Sequence, residues 1–325
     1  MSSIAFIIGD HAVYWNSLML FLGAAAAAML FCGAYAYQGG ELSTAVLLLP
    51  PMLLLSILLA RLFHWYSLPN SYSGFADAMT DYSSGGYALT GVFAGCLLCI
   101  LLAGVFSRKK ILLILLDSAV LAAAGGIAVG RMAGMFESAD KGQIISSIQG
   151  LPISYPVINS VTGIQEYRFA AFFWQAVIAA LLFAVLILLL LKHSEDGTLF
   201  TVFSVVYSAS QIVLDSTRYD SLYFRFNGFV SVVQIICAVA LAAALITISV
   251  CYIKKHEFHK LLVPVWLLSA CFFGGAGFME YYVQRHGSKA LMAYSIMSVC
   301  LIGITVIIFL LYKQYKRKPE KVRVY

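Results

Sequence analysis

The chain has 325 residues, 62% of them hydrophobic and 11% charged, with a mean hydropathy of +0.89. Soluble domains carry about 25% charged residues, so this composition excludes a soluble enzyme or binding module and points to a membrane protein of several spans. The formal net charge of +6 is not a nucleic-acid signal, because the basic residues cluster beside apolar runs, where they report topology.

A span needs about 20 apolar residues. Nine are predicted, at roughly 14–36, 45–66, 86–106, 111–131, 169–192, 199–217, 228–253, 262–281 and 290–312. The N-terminus lacks a basic n-region and an A-x-A-like cleavage site, so the first run is expected to stay as a helix. The sixth run is short and polar, with Tyr207, Ser208, Ser210, Gln211 and Asp215, and is expected to line a cavity rather than face lipid. The basic clusters Ser107–Lys110, Lys192–His193, Lys254–Lys260 and the tail after Leu311 all fall on one side; Asp10, Asp77, Asp81, Glu137, Asp140 and Glu166 fall on the other. The positive-inside rule then places the N-terminus outside and the C-terminus in the cytoplasm. The long connections at roughly 67–85 and 132–168 are external in this topology and carry SLPNSYSG, LPISYP and TGIQEY, which read as turn-rich cover for the outer mouth of the bundle.

All seven cysteines fall inside apolar runs. Cys96 and Cys99 can share a helix face, but no His or carboxylate joins them to complete a metal set. They read as membrane-embedded hydrophobes, and no metal and no cofactor is expected.

Charge inside a span costs about 2.5–3.5 kcal/mol on insertion scales, so each instance needs a partner or a purpose. Arg61 stands near the outer end of the second span with His64 one turn further on, Asp117 lies in the fourth, and Arg131 ends the fourth among Gly125, Gly126, Gly130 and Gly134. Asp215 and Arg218 are three residues apart and are expected to share a helix face and pair. Two readings apply to the glycines: close approach of a lipid headgroup to Arg131, or a small-residue helix crossing with a snorkelling Arg. Two also apply to the charges. They can be structural ion pairs, or Arg61, Arg131 and Arg218 at one depth can grip a phosphate, since three guanidiniums exceed what Asp215 and Glu137 need. His64, with an ordinary pKa near 6.5, is either a base or an interfacial anchor within FHWY.

Several stretches carry a resemblance. GGYALTGVFAG (Gly85–Gly95), the SRKK turn, LLDSAVLAAAGGIAVGR (Leu115–Arg131) and LARLFHWY (Leu59–Tyr66) are similar to the prolipoprotein diacylglyceryl transferase family. WNSLMLFLG (Trp15–Gly23) resembles its first-helix motif, FFWQAVIAALL (Phe172–Leu182) its fifth-helix entry, and YSASQIVLDSTRYD (Tyr207–Asp220) its Tyr…Arg…Glu…Arg helix. The matches run in family order over roughly residues 10–254, and the GR-centred stretch is the most specific.

The resemblance implies a bacterial cytoplasmic-membrane enzyme that moves diacylglyceryl from phosphatidylglycerol to the lipobox cysteine thiol of a prolipoprotein, releasing glycerol phosphate. The substrate supplies the nucleophile. Arg131 and Arg218 would hold the phosphate, Arg61 would support them, and Tyr207 would line the site, with Gly130 also retained. The family's catalytic His, however, corresponds to Thr90, its first-helix Tyr to Asn16, and the Asn after GR to Gly134. The first Arg of its sixth-helix motif is Gln211, the Glu of that motif is Asp215, and the Tyr-Glu pair of the fifth-helix entry reads Trp174-Gln175. The phosphate-facing cations thus survive better than the acid–base apparatus. Thr is no base near neutral pH, which leaves His64 or Asp215 as replacements.

The expected fold is an all-α polytopic helix bundle: a transferase-like membrane domain over 1–254, then two appended helices and a basic cytoplasmic tail over 255–325. The expected site comprises Arg131, Arg218, Tyr207, Asp215 and His64 as catalytic residues, with Arg61, Gly130, Gly134, Thr90, Gln211, Asn16 and Glu137 lining the substrate site. Expected partners are phosphatidylglycerol, a prolipoprotein with its lipobox cysteine, and membrane lipids, with no nucleic acid. A second reading is a paralogue without catalysis that binds anionic phospholipid as a lipoprotein-pathway accessory. A small-solute transporter fits less well, because no pair of broken helices occupies corresponding halves.

Overall fold

The computed structural model describes residues 4–80, 86–105, 109–136, 141–145, 149–159, 162–224, 227–256, 260, 262–286 and 289–316. Ten α-helices stand among them: α1 Trp15–Tyr37, α2 Leu42–Ser67, α3 Phe75–Thr80, α4 Leu89–Val105, α5 Lys109–Gly130, α6 Ala171–Leu191, α7 Thr198–Ser216, α8 Val232–His256, α9 Leu262–His286 and α10 Ala290–Lys316. Eight of the helical segments are long and apolar enough to cross a membrane, and α4 is a shorter apolar helix. The protein is an all-α polytopic bundle, as its apolar runs require. It divides into two compact units, Met1–Phe203 with Thr217–Val233, and Ser204–Ser216 with Gln234–Tyr325.

In the first unit α1 packs on α5, α2 on α4, and α5 on α6. Apolar side chains gain little by leaving lipid for one another, so such helices associate where small residues let backbones touch. A Cβ at Gly23 would lie 2.8 Å from the Gly126 carbonyl oxygen and 3.0 Å from Gly130 Cα. Gly91 meets Leu59 and Ala60 of α2, and a Cβ at Gly95 would come within 2.5 Å of the Ser56 backbone. Ser56 Oγ donates across the same crossing to the Val92 carbonyl, 3.2 Å away. Gly95→Val is therefore expected to push α2 and α4 apart at a cost of about 1–3 kcal/mol, read as a lower melting temperature in detergent; an unchanged melting temperature would refute this crossing.

These pairs run antiparallel, so the N-terminal ends of α1, α4 and α6 and the C-terminal ends of α2 and α5 meet at one end of the bundle. At the opposite end the Gln38 side chain donates to Ala34 O (3.2 Å) and Ser118 Oγ (3.1 Å). Asp117, 1% exposed, accepts the backbone N–H of Gly197 at 2.7 Å and of Phe200 at 2.8 Å. The charge inside the fourth predicted span is a cap that α5 supplies to the first turn of α7, whose leading N–H groups have no partner within their own helix.

The connections are more ordered than their turn-rich composition predicts. Among the described residues three antiparallel hairpins form: β1 Ile4–Ile8 with β2 His11–Tyr14, β3 Ser154–Ile158 with β4 Gln165–Phe169, and β5 Tyr223–Phe224 with β6 Asn227–Ser231. Residues 141–145 extend the second. Gly142 N–H donates to Phe169 O (2.8 Å), Phe169 N–H to Gln143 O (2.9 Å) and Ile145 N–H to Tyr167 O (2.8 Å). On the other side Gln143 N–H donates to Thr217 O (3.1 Å), and Tyr219 N–H to Lys141 O (3.0 Å). The segments after α5 and after α7 are thereby laced into one small sheet. Pro156 inside a five-residue strand hid that strand from a sequence reading.

In the second unit α9 and α10 pack as an antiparallel pair. Ser269, Ala276, Glu280 and Val283 are buried on α9, and Ala293, Met297, Leu301, Ile304, Ile308 and Leu311 on α10. Hydrogen bonds join the pair to α7 and α8, among them Trp266 Nε1–H to Ser249 Oγ (3.1 Å), Lys255 Nζ to Tyr315 O (2.7 Å), and Tyr294 O–H to Ser216 O (3.2 Å).

Candidate functional site

The shared helix end of the first unit carries most of the residues singled out by sequence. Arg131, half-buried, opens a 3-10 turn, Arg131–Met135, that continues α5. Three elements clamp that turn. Phe136, just beyond it, stacks on Trp15 of α1 with ring centroids 5.5 Å apart. A Cβ at Gly134 would lie 2.7 Å from Phe172 Cβ on α6. Tyr155 of β3 donates its hydroxyl to Met135 O at 2.7 Å, with its ring edge-on to Phe172. Gly134, expected among the substrate-lining residues, packs helix α6. Gly126 does the same for α1, where its Cβ would meet Ala27. At Gly130 the nearest side-chain atom, Leu20 Cδ2, is 4.0 Å away, which leaves the approach to Arg131 more open.

Arg218 was expected on the same helix face as Asp215. The structure corrects this: α7 ends at Ser216, and Arg218 lies beyond it in extended backbone that pairs with Gly142. Its guanidinium holds Asp220 Oδ1 at 3.0 and 3.1 Å. The ladder through Lys141–Gln143 therefore ties the connection leaving the Arg131 turn to the strand that carries Arg218. Lys141, absent from the sequence-derived set, is 5% exposed and holds its ammonium 4.8 Å from the Tyr155 ring centroid. A loop lysine carries no span-cost signal, so composition could not pick it out. On the sheet's outer hairpin, Glu166 pairs with Arg168 at 2.9 Å. The Asn159 amide, assisted by Arg168, holds the Glu166 carboxyl below its usual range.

Arg61 is 1% exposed. Its Nε–H donates to Ala78 O (2.8 Å), its Nη1–H donates to Tyr72 Oη and Gly86 O (3.3 Å each), and the group lies between the rings of Tyr72 and Tyr87. A buried guanidinium requires such saturation. Arg61, expected to support the phosphate-holding arginines, pins the connection from α2 to α4 onto α2 through these contacts. His64, half-buried one turn later, meets the Tyr72 hydroxyl with Nδ1 at 2.7 Å. Gly86, at φ +81°, passes beside both: a Cβ there would overlap the Tyr72 hydroxyl and lie 2.9 Å from His64 Cε1. Only glycine suits that backbone and that gap. Ala88 N–H then donates to Ala60 O at 3.1 Å, so the segment leading to Thr90, the second residue of α4, runs down α2 beside this cluster.

Asn16, the second residue of α1, accepts the Ser17 N–H at 2.7 Å and adjoins the Trp15 that stacks on Phe136. Tyr207, Gln211 and Asp215 are all buried at i, i+4, i+8 positions of α7, in the second unit, and Ser210 Oγ donates to Tyr207 O at 2.8 Å. Glu137 lies outside the described residues.

Fold and site together define a multi-pass membrane protein with Arg61 and Arg131 near one end of the helices of its first unit. The family model for prolipoprotein diacylglyceryl transferase matches residues 3–250, and the chain belongs to that family. Similar curated proteins, each named phosphatidylglycerol–prolipoprotein diacylglyceryl transferase, come from Bacillus licheniformis (26% identical over 251 residues, 75% of this chain and 92% of the relative) and Lactococcus lactis subsp. cremoris (24% over 252 residues, 74% and 93%). A third, from Shouchella clausii, is 24% identical over 242 residues, 72% of this chain and 86% of the relative. Helices α9 and α10 lie beyond the matched region.

Proposed function

We propose that the protein transfers diacylglyceryl from phosphatidylglycerol to the lipobox cysteine of a prolipoprotein at the outer face of the bacterial cytoplasmic membrane, with its N-terminus outside and its C-terminus inside. The observation that supports this reading is the backbone ladder by which Lys141–Gln143, in the connection that follows the Arg131 turn, pair with residues 217–219, Arg218 among them. Arginine holds a phosphate with paired donors, and here the phosphate is also the leaving group. Asn16, Thr90 and Gly130 line the same helix end, His64 is the base candidate within the first unit, and residues 255–325 form an appended module.

A second reading has its own observation. Thr stands at position 90, where the resemblance places the family's His, as it would in a paralogue that binds phospholipid without catalysis. Purified protein given labelled phosphatidylglycerol and a lipobox peptide separates the two. Label on the peptide, with maturation restored in a transferase-depleted strain, supports the enzyme; bound lipid with no transfer and no rescue supports the accessory protein.

A further inference from the structure

We infer that His64 is the proton-transfer residue of the reaction and that Tyr72, held by Arg61, is the residue that positions it. The inference rests on the transferase reading above and deepens it by naming the group that orients its base candidate.

The Tyr72 hydroxyl touches both His64 Nδ1 at 2.7 Å and Arg61 Nη1 at 3.3 Å. Three separate pieces of chain fix this junction: α2 with Arg61 and His64, the turn after α2 with Tyr72, and Gly86, whose missing Cβ makes room for both rings. An interfacial histidine that merely anchors a helix end needs none of this. Arg61 N–H donates to the phenol oxygen, and in the tautomer whose Nδ1–H also donates there, Nε2 keeps its lone pair. That is the orientation a third group imposes on a catalytic imidazole. Nε2 has no hydrogen-bond partner among the described residues. The segment Gly86–Gly91, which carries Thr90, lies along the same face of α2. A base on α2 therefore replaces one on α4 across a helix crossing.

The proton accounting closes without a further reactant. The substrate thiol gives its proton to Nε2, and the sulfur attacks the glyceryl carbon. The S–C bond forms as the C–O bond to phosphate breaks, and the electron pair stays on the phosphate oxygen. That oxygen takes the proton back from Nε2 and leaves as glycerol phosphate.

The test uses the full chain in phosphatidylglycerol vesicles with a lipobox peptide. His64→Gln is expected to lower kcat by about 100-fold or more, and Tyr72→Phe by a smaller factor, with KM for the lipid unchanged in both. Adding Thr90→His to His64→Gln is expected to recover part of the lost kcat, which a purely structural role for His64 would not allow. Wild-type kcat in His64→Gln overturns the inference, as does a loss confined to KM or to folding without recovery in the double variant. A wild-type protein silent in the same assay overturns the transferase reading itself and is recognised by that silence.

Discussion

Arg131→Ala is expected to lower kcat/KM for diacylglyceryl transfer by about 100- to 1000-fold, the usual loss on removing one preorganised charge stabiliser. The phosphodiester of phosphatidylglycerol carries one negative charge, and breaking its C–O bond builds up a second on the leaving group. A guanidinium there binds the transition state more strongly than the ground state, so the loss falls on kcat as well as KM. Arg131→Lys restores the charge without the planar pair of donors and is expected to recover only part of the rate. The Trp15–Phe136 and Gly134–Phe172 contacts, which hold the turn without the Arg131 side chain, should keep the melting temperature near wild type. Transfer within threefold of wild type in Arg131→Ala would remove this residue from the chemistry.

Asp117→Ala is expected to destabilise the protein by on the order of 3 kcal/mol. Its carboxylate satisfies Gly197 N–H and Phe200 N–H at 2.7 and 2.8 Å. Alanine would leave both donors orphaned at a buried helix N-terminus, and would also remove a negative charge from the positive end of the α7 dipole. Asp117→Asn keeps one acceptor oxygen and should lie between the two. Thermal unfolding in detergent gives the ranking, and hydrogen exchange at the start of α7 localises it. Wild-type melting and wild-type exchange in Asp117→Ala would show that the cap contributes nothing.

The sequence alone carried the run of apolar helices and their order, because hydropathy over about 20 residues is a one-dimensional quantity that lipid reads directly. It also carried the family, through the GR-centred stretch and its neighbours, and it flagged Arg61, Asp117 and Arg131 because charge in an apolar run is costly wherever the chain later goes. What that cost serves is a matter of partners distant in sequence, and only the tertiary structure decided it. Asp117 caps α7 across 80 positions, Arg61 is saturated by Ala78, Tyr72 and Gly86, and Gly134 makes room for Phe172. Arg218 leaves the helix it was expected to share with Asp215 because α7 ends two residues earlier and residues 217–219 enter a sheet. Lys141 and Tyr72 carried no signal in the sequence, since a loop lysine and a loop tyrosine are ordinary until a neighbouring ring or imidazole is placed against them. Composition decides which solvent a segment lives in, whereas hydrogen bonds and ring contacts act over a few ångströms and depend on which segments the fold brings that close.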